Sequence, residues 1–200
     1  ALGLSAASPP PASAADPNIK DFTGHSLLKA DGTYWTWGRP SPAPTRLDEA
    51  GDVRTVFDDF YVQKTDGTLL VLKPGTWTDK PKALPVSGLQ NVDHFSFFTN
   101  VVAIDKSGHA FFSDRPDSGA GSAEFTAFSP VEGVSDIADA SGYSEDSPKG
   151  SEDHWLLLKK DGTIWRGTDQ LTGFKQIPNM KDVVELNKNY MLKKDGTVWT

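Results

Sequence analysis

The stretch LLKADGTYWTWG at residues 27–38 recurs in degenerate form at residues 62–72, 103–113, 156–167 and 191–200. Each copy has an apolar run, a Lys-x-Asp-Gly-like turn and a second apolar run rich in aromatic and β-branched residues. Gly takes a positive φ without steric penalty and Asp tolerates the neighbouring conformations, so each copy predicts a β-hairpin with a three-residue loop ending in a Gly bulge. Asp31, Asp66, Asp161 and Asp195 occupy the turn, with Ser107 in the third copy. Because they repeat, these carboxylates read as turn formers rather than catalysts.

The positions after the turn constrain the fold further. Tyr34, Leu69, Ala110, Ile164 and Val198 are followed by Trp35, Leu70, Phe111, Trp165 and Trp199. Adjacent strand residues point to opposite faces, so apolar residues at both predict strands covered on both sides. One hairpin cannot bury two faces, but stacked copies can.

An apolar-x-x-apolar motif precedes each hairpin, at Ile19/Phe22, Val53/Val56, Leu89/Val92, Val134/Ile137 and Met180/Val183, which puts unit starts near residues 19, 53, 89, 134 and 180. Pro-bearing segments at 44–47, 81–85, 125–130 and 174–178 supply a fourth strand, since Pro suits sheet edges. The turn glycines, at 32, 67, 108, 162 and 196, are spaced by 35, 41, 54 and 34 residues. With no helical periodicity, these periods predict an all-β protein over residues 18–200, a β-propeller of repeated four-stranded antiparallel blades with about five repeats present. The fifth unit stops after Trp199 without a closing strand, so a longer propeller is expected in preference to five blades closing with the N-terminal segment.

Two irregular insertions stand out, 113–124 and 138–153. Both are polar and rich in Gly, Ser and Asp, which predicts surface loops on a binding face. Trp77 and Tyr143 fall outside the repeated apolar positions, as interface aromatics do. Together with Glu145 and Asp146 they are the candidate partner-binding residues.

Charge and residue usage exclude several functions. A net charge of -7 argues against nucleic-acid binding, which needs Lys and Arg to neutralise phosphates. The absence of Cys excludes disulfides, thiolate catalysis and Cys-ligated metals. His25, His94, His109 and His154 form no His-x-His or His-x-x-x-His pair, and His25 and His154 read as equivalent positions ahead of two hairpins. The acidic group Glu145, Asp146, Glu152 and Asp153 lacks the order of a calcium loop. With no phosphate loop and no nucleophile elbow, no catalytic residue, metal or cofactor is expected.

Residues 1–17 carry small residues and three successive prolines, the pattern of a signal-peptide cleavage region or of an Ala/Pro-rich linker. Export to the medium or cell surface is expected. No apolar run reaches the roughly 20 residues of a membrane-spanning helix.

Gly24-His25-Ser26-Leu27, Asp31-Gly32-Thr33 and Trp37-Gly38, with a looser match at Trp165-Arg166-Gly167, resemble the regulator of chromosome condensation repeat family, especially its bacterial secreted members. The resemblance implies a β-propeller, commonly of seven blades, that serves as a rigid platform for protein partners. Nucleotide exchange on a small GTPase is not carried over, because no residues here match the partner-contacting elements. The expected function is non-catalytic protein binding. Alternatives are a carbohydrate-binding propeller, with cell-wall glycan as ligand, and a propeller hydrolase or lyase.

Overall fold

The computed structural model describes residues 18–38, 42–57, 60–73, 80–113, 126–148 and 150–200. They form five antiparallel sheets in chain order, four with four strands and the last with three. Blade 1 comprises β1 (Ile19–Phe22), β2 (Ser26–Lys29), β3 (Tyr34–Thr36) and β4 (Thr45–Arg46). Blade 2 comprises β5 (Val53–Phe57), β6 (Tyr61–Lys64), β7 (Leu69–Lys73) and β8 (Lys82–Pro85). Blade 3 has β9 (Val92–Phe97), β10 (Val101–Asp105), β11 (Ala110–Ser113) and β12 (Ser129–Pro130). Blade 4 has β13 (Ile137–Ser147), β14 (Gly150–Lys159), β15 (Ile164–Thr168) and β16 (Lys175–Gln176), and blade 5 has β17 (Val183–Asn187), β18 (Tyr190–Lys193) and β19 (Val198–Trp199).

The turn chemistry is as the repeat predicts. Gly32, Gly67, Gly108, Gly162 and Gly196 all have φ between 82 and 90°. Asp31 Oδ1 accepts from the backbone N–H of Thr33 at 2.9 Å and from its hydroxyl at 2.7 Å, and Asp161 and Asp195 hold Thr163 and Thr197 in the same way. Where Ser107 replaces the turn Asp, Asp105 takes over the task, accepting from the His109 N–H at 2.8 Å and pairing with its ring at 2.9 Å.

Packing follows the stacking logic. Each hydrophobic cluster lies between consecutive blades: Leu28 and Tyr34 against Val53 and Val62, Tyr61 and Val71 against Val101 and Phe128, Val102 and Ile104 against Ile137 and Trp155, and Leu156 and Ile164 against Val183 and Met191. The first strand of blade 4 also contacts those of blades 3 and 5, so these blades converge along their first strands. This is a β-propeller arrangement of repeated blades.

Two details depart from the sequence reading. In blades 3 to 5 the first strand begins at the second apolar position of the motif, at Val92, Ile137 and Val183, not at Leu89, Val134 or Met180. The register aligns these residues with Ile19 and Val53, and a bulge follows in every blade. Asn91, Asp136 and Asp182, immediately ahead, have φ of 51, 58 and 60°, the left-handed region that Asn and Asp tolerate.

The second departure is the 138–153 insertion, which is not an irregular loop. It lengthens β13 and β14 into a two-stranded arm paired without interruption from Asp139↔Leu158 to Ser147↔Gly150. Continuous ladder bonds satisfy its backbone, which a polar loop would leave to water.

Candidate functional site: an aromatic rim beside a two-stranded arm

Connections between first and second strands all lie at one end of the stack, opposite the Asp-Gly turns. At that end Phe60, Phe97, Phe98 and Tyr190 stand 42, 37, 37 and 51% exposed. They come from three different blades, and Phe60 meets Phe97 with ring centroids 5.4 Å apart. Large aromatics seldom stay this open at several neighbouring turns without a binding role.

The rim is held rigidly. Phe98 seats on Gly142, where an added Cβ would lie 2.4 Å from the Phe98 side chain, and meets Trp155 edge-on at 6.1 Å. Asn100 donates to the Asp169 carbonyl at 2.7 Å, tying the blade 3 turn to blade 4. Below the rim the first strands of blades 3, 4 and 5 enclose a concavity of about 580 Å³, lined by Phe97, Phe98, Asp139, Tyr143 and Lys188 among others.

The arm stands over this concavity. Its face towards blade 5 brings together Tyr143, Glu145, His154 and Arg166. Arg166 Nη2 pairs with Glu145 Oε2 at 2.5 Å, and its guanidinium lies 5.8 Å from the Tyr143 ring centre. His154 lies 5.6 Å from Tyr143, centroid to centroid, and its Nε2 is 3.7 Å from Glu145 and 3.9 Å from Glu152. Burial raises the Tyr143 hydroxyl pKa, an effect that Arg166 opposes. At the concavity wall, His94 Nε2 lies 3.4 Å from Asp139 Oδ1, and this partner holds the imidazole pKa above its ordinary value against the opposing effect of burial.

Of the sequence candidates, Tyr143 and Glu145 fall into one cluster. Asp146 is exposed and opposite Ser151, and strand alternation turns it to the other face of the arm. Trp77 lies outside the described residues, as do residues 114–125 of the other insertion. His154 is not the counterpart of His25. The register matches His25 to Trp155, and His154 faces Tyr143 across the arm. Phe60, Phe97, Phe98, Tyr190 and Arg166 were not singled out from sequence. The available signal was position, since each of the four aromatics sits at or beside a first-to-second-strand turn, where a core residue has nothing to pack on. Among the described residues no three His, Asp or Glu side chains converge as a metal site. No helix among them is long and apolar enough to cross a membrane.

No protein-family model matches the chain, and no curated protein matches it. Solved structures similar to it include human WBSCR16, at 14% identity over 80% of this chain and 52% of that one, with a TM-score of 0.45. The computationally designed Ika8 protein is similar at 18% identity over 90% of this chain and 56% of its own, with a TM-score of 0.48. BamB from Moraxella catarrhalis is similar at 13% identity over 90% and 55%, with a TM-score of 0.42. The chain thus spans little more than half the length of these structures. Its propeller architecture rests on its own repeated sheets and interblade cores.

Proposed function

We propose that this protein is a non-catalytic β-propeller of the regulator of chromosome condensation repeat type, which binds a protein partner through the aromatic rim and the arm beside it. The observation that carries this reading is the set of open aromatics Phe60, Phe97, Phe98 and Tyr190 at one end of the stack, of which Phe97 and Phe98 line a concavity. Aromatic side chains provide large contact area at low entropic cost, and stacked sheets hold them still, so little ordering is lost on association. The Tyr143–Arg166–Glu145 group adds a polar edge of the kind that surrounds an apolar interface centre. Residues 1–17 support secretion or cell-surface display through their small-residue pattern.

A photo-crosslinking amino acid placed at Phe98 or Tyr190 tests the reading. Exposed to native extract and culture medium, these two variants are expected to capture the same protein, while the same group at Lys194, at the opposite end, captures none. Equal capture at both ends overturns the assignment of the site. Binding to a glycan array at several equivalent sites, with no protein captured, favours the carbohydrate-binding alternative.

A further inference from the structure

β13 has 11 residues where the other first strands have four to six, and it pairs with β14 alone. Its other side faces the concavity, which six successive residues, 139–144, line. Side chains alternate between the two faces of a strand, so an unbroken run of lining residues means that β13 presents its edge there. Blade 4 has a neighbour on either side, and this edge does not depend on the end blades.

The ladder decides which backbone groups the edge offers. At the Asp161-Gly162 turn the Lys159 N–H donates to the Thr163 carbonyl at 2.9 Å, so odd-numbered residues of β14 bond β15 and even-numbered ones bond β13. Register then gives β14 the odd residues of β13, through Leu156↔Ser141, His154↔Tyr143 and Glu152↔Glu145. Ala140, Gly142, Ser144 and Asp146 turn their N–H and C=O groups the other way. Ala140 donates its N–H to Asp139 Oδ1 at 2.7 Å. Among the described residues nothing bonds the backbone of Gly142, Ser144 or Asp146. Such a row of unpaired groups is a template for another strand.

We propose that the partner supplies an extended segment that adds to β13 as a fifth strand of blade 4, pairing with Gly142, Ser144 and Asp146. The proposal rests on the partner-binding reading and narrows it to one class of ligand, a basic linear peptide held by main-chain hydrogen bonds. Side chains fix its chemistry. Gly142 leaves its own face to the Phe98 ring, so the peptide residue beside it meets an aromatic surface. Further along that face, Asp146 and Asp153 have no cationic partner among the described residues, whereas Glu145 on the other face pairs with Arg166. The segment therefore carries an apolar residue beside Phe98 and a Lys or Arg four positions away, beside Asp146.

A phage-displayed library of random linear peptides, each about a dozen residues long, is selected on the 200-residue chain. Enriched sequences are expected to hold an apolar residue and a Lys or Arg four positions apart. A synthetic copy of the strongest binder is then N-methylated on its odd or on its even residues. Methylating the set that faces β13 weakens binding at least about tenfold, and methylating the set that faces away changes it less than about twofold. In the chain, Ser144→Pro removes an N–H that β14 does not use, so the variant keeps its circular dichroism spectrum and loses the peptide. Asp146→Lys, at an exposed position, weakens the same peptide. No enrichment over unselected phage, equal effects of the two methylation sets, or undiminished binding to either variant would each overturn the proposal. If the peptide fails while a crosslinker at Phe98 still captures a protein, strand addition falls and the rim reading stands. A peptide that pairs in the two-set pattern while Phe98 captures nothing supports strand addition and removes the rim reading alone.

Discussion

Asp31, Thr33, Trp35 and Lys29 act as one unit. The Asp carboxylate fixes the Thr, whose hydroxyl accepts from Trp35 Nε1 at 3.1 Å, and Lys29 Nζ lies 4.8 Å from the indole centre. Blade 5 repeats the set, with Trp199 Nε1 bonded to Thr197 at 3.0 Å and Lys193 at 5.0 Å. The hydrogen bonds from Thr hold Asp31, Asp161 and Asp195 below the ordinary carboxylate value of 3.8, as those from Thr68 do for Asp66. A depressed folded pKa stabilises the protein above the unfolded pKa, and that contribution is lost as pH falls through the folded one. The thermal midpoint should therefore drop as pH falls from 3.8 downwards, and a variant with all four Asp changed to Asn should show a shallower drop over that window. Equal slopes would mean that the turns do not sense their carboxylates. The motif could be read from sequence because all its members lie within seven residues. Gly142 could not, since its reason for being Gly is Phe98, a residue of another blade. Gly142→Ala should cost about 1–3 kcal/mol in urea unfolding, as overpacking does. If Phe98 is the cause, the cost in a Phe98→Ala background will be smaller.

Among the elements, hairpins were legible and their phase was not. Met180-Lys-Asp-Val183 imitates Ile19-Lys-Asp-Phe22, yet the strand starts at Val183, because a left-handed Asp182 and the bulge set the register. The arm was hidden for a different reason. Residues 141–147 and 150–153 form a ribbon with solvent on much of both sides, so the alternating apolar pattern that marks a half-buried strand is missing. An isolated two-stranded ribbon adds little stability, since it buries little apolar surface. Replacing residues 144–153 with Asn-Gly, so that Tyr143 and His154 flank a type I′ turn, should leave the thermal midpoint within about 3 °C of the parent, equivalent to less than about 1 kcal/mol in a chain this size. Crosslinking to partner through Phe98 should weaken in the same variant, because Glu145 is lost. A large fall in the midpoint would show instead that the arm braces blade 5.

Across the described residues the arrangement is one-dimensional: four cores, each shared by two neighbours, with blades 2, 3 and 4 each part of two of them and blades 1 and 5 of one. Stability in such arrays is close to a sum of unit and nearest-neighbour terms, so the end blades open at less cost than the whole. Hydrogen exchange on dilute protein should find β2 and β18 exchanging ahead of β10 and β14. Leu156, 2% exposed in the core between blades 4 and 5, gives a sharper test. Leu156→Ala should cost about 2–5 kcal/mol at that core. Nearest-neighbour coupling confines most of the loss to blade 5, whose amides should exchange faster while those of β2 and β6 are unchanged. Uniform acceleration across all five blades would show that the stack unfolds as a single cooperative block.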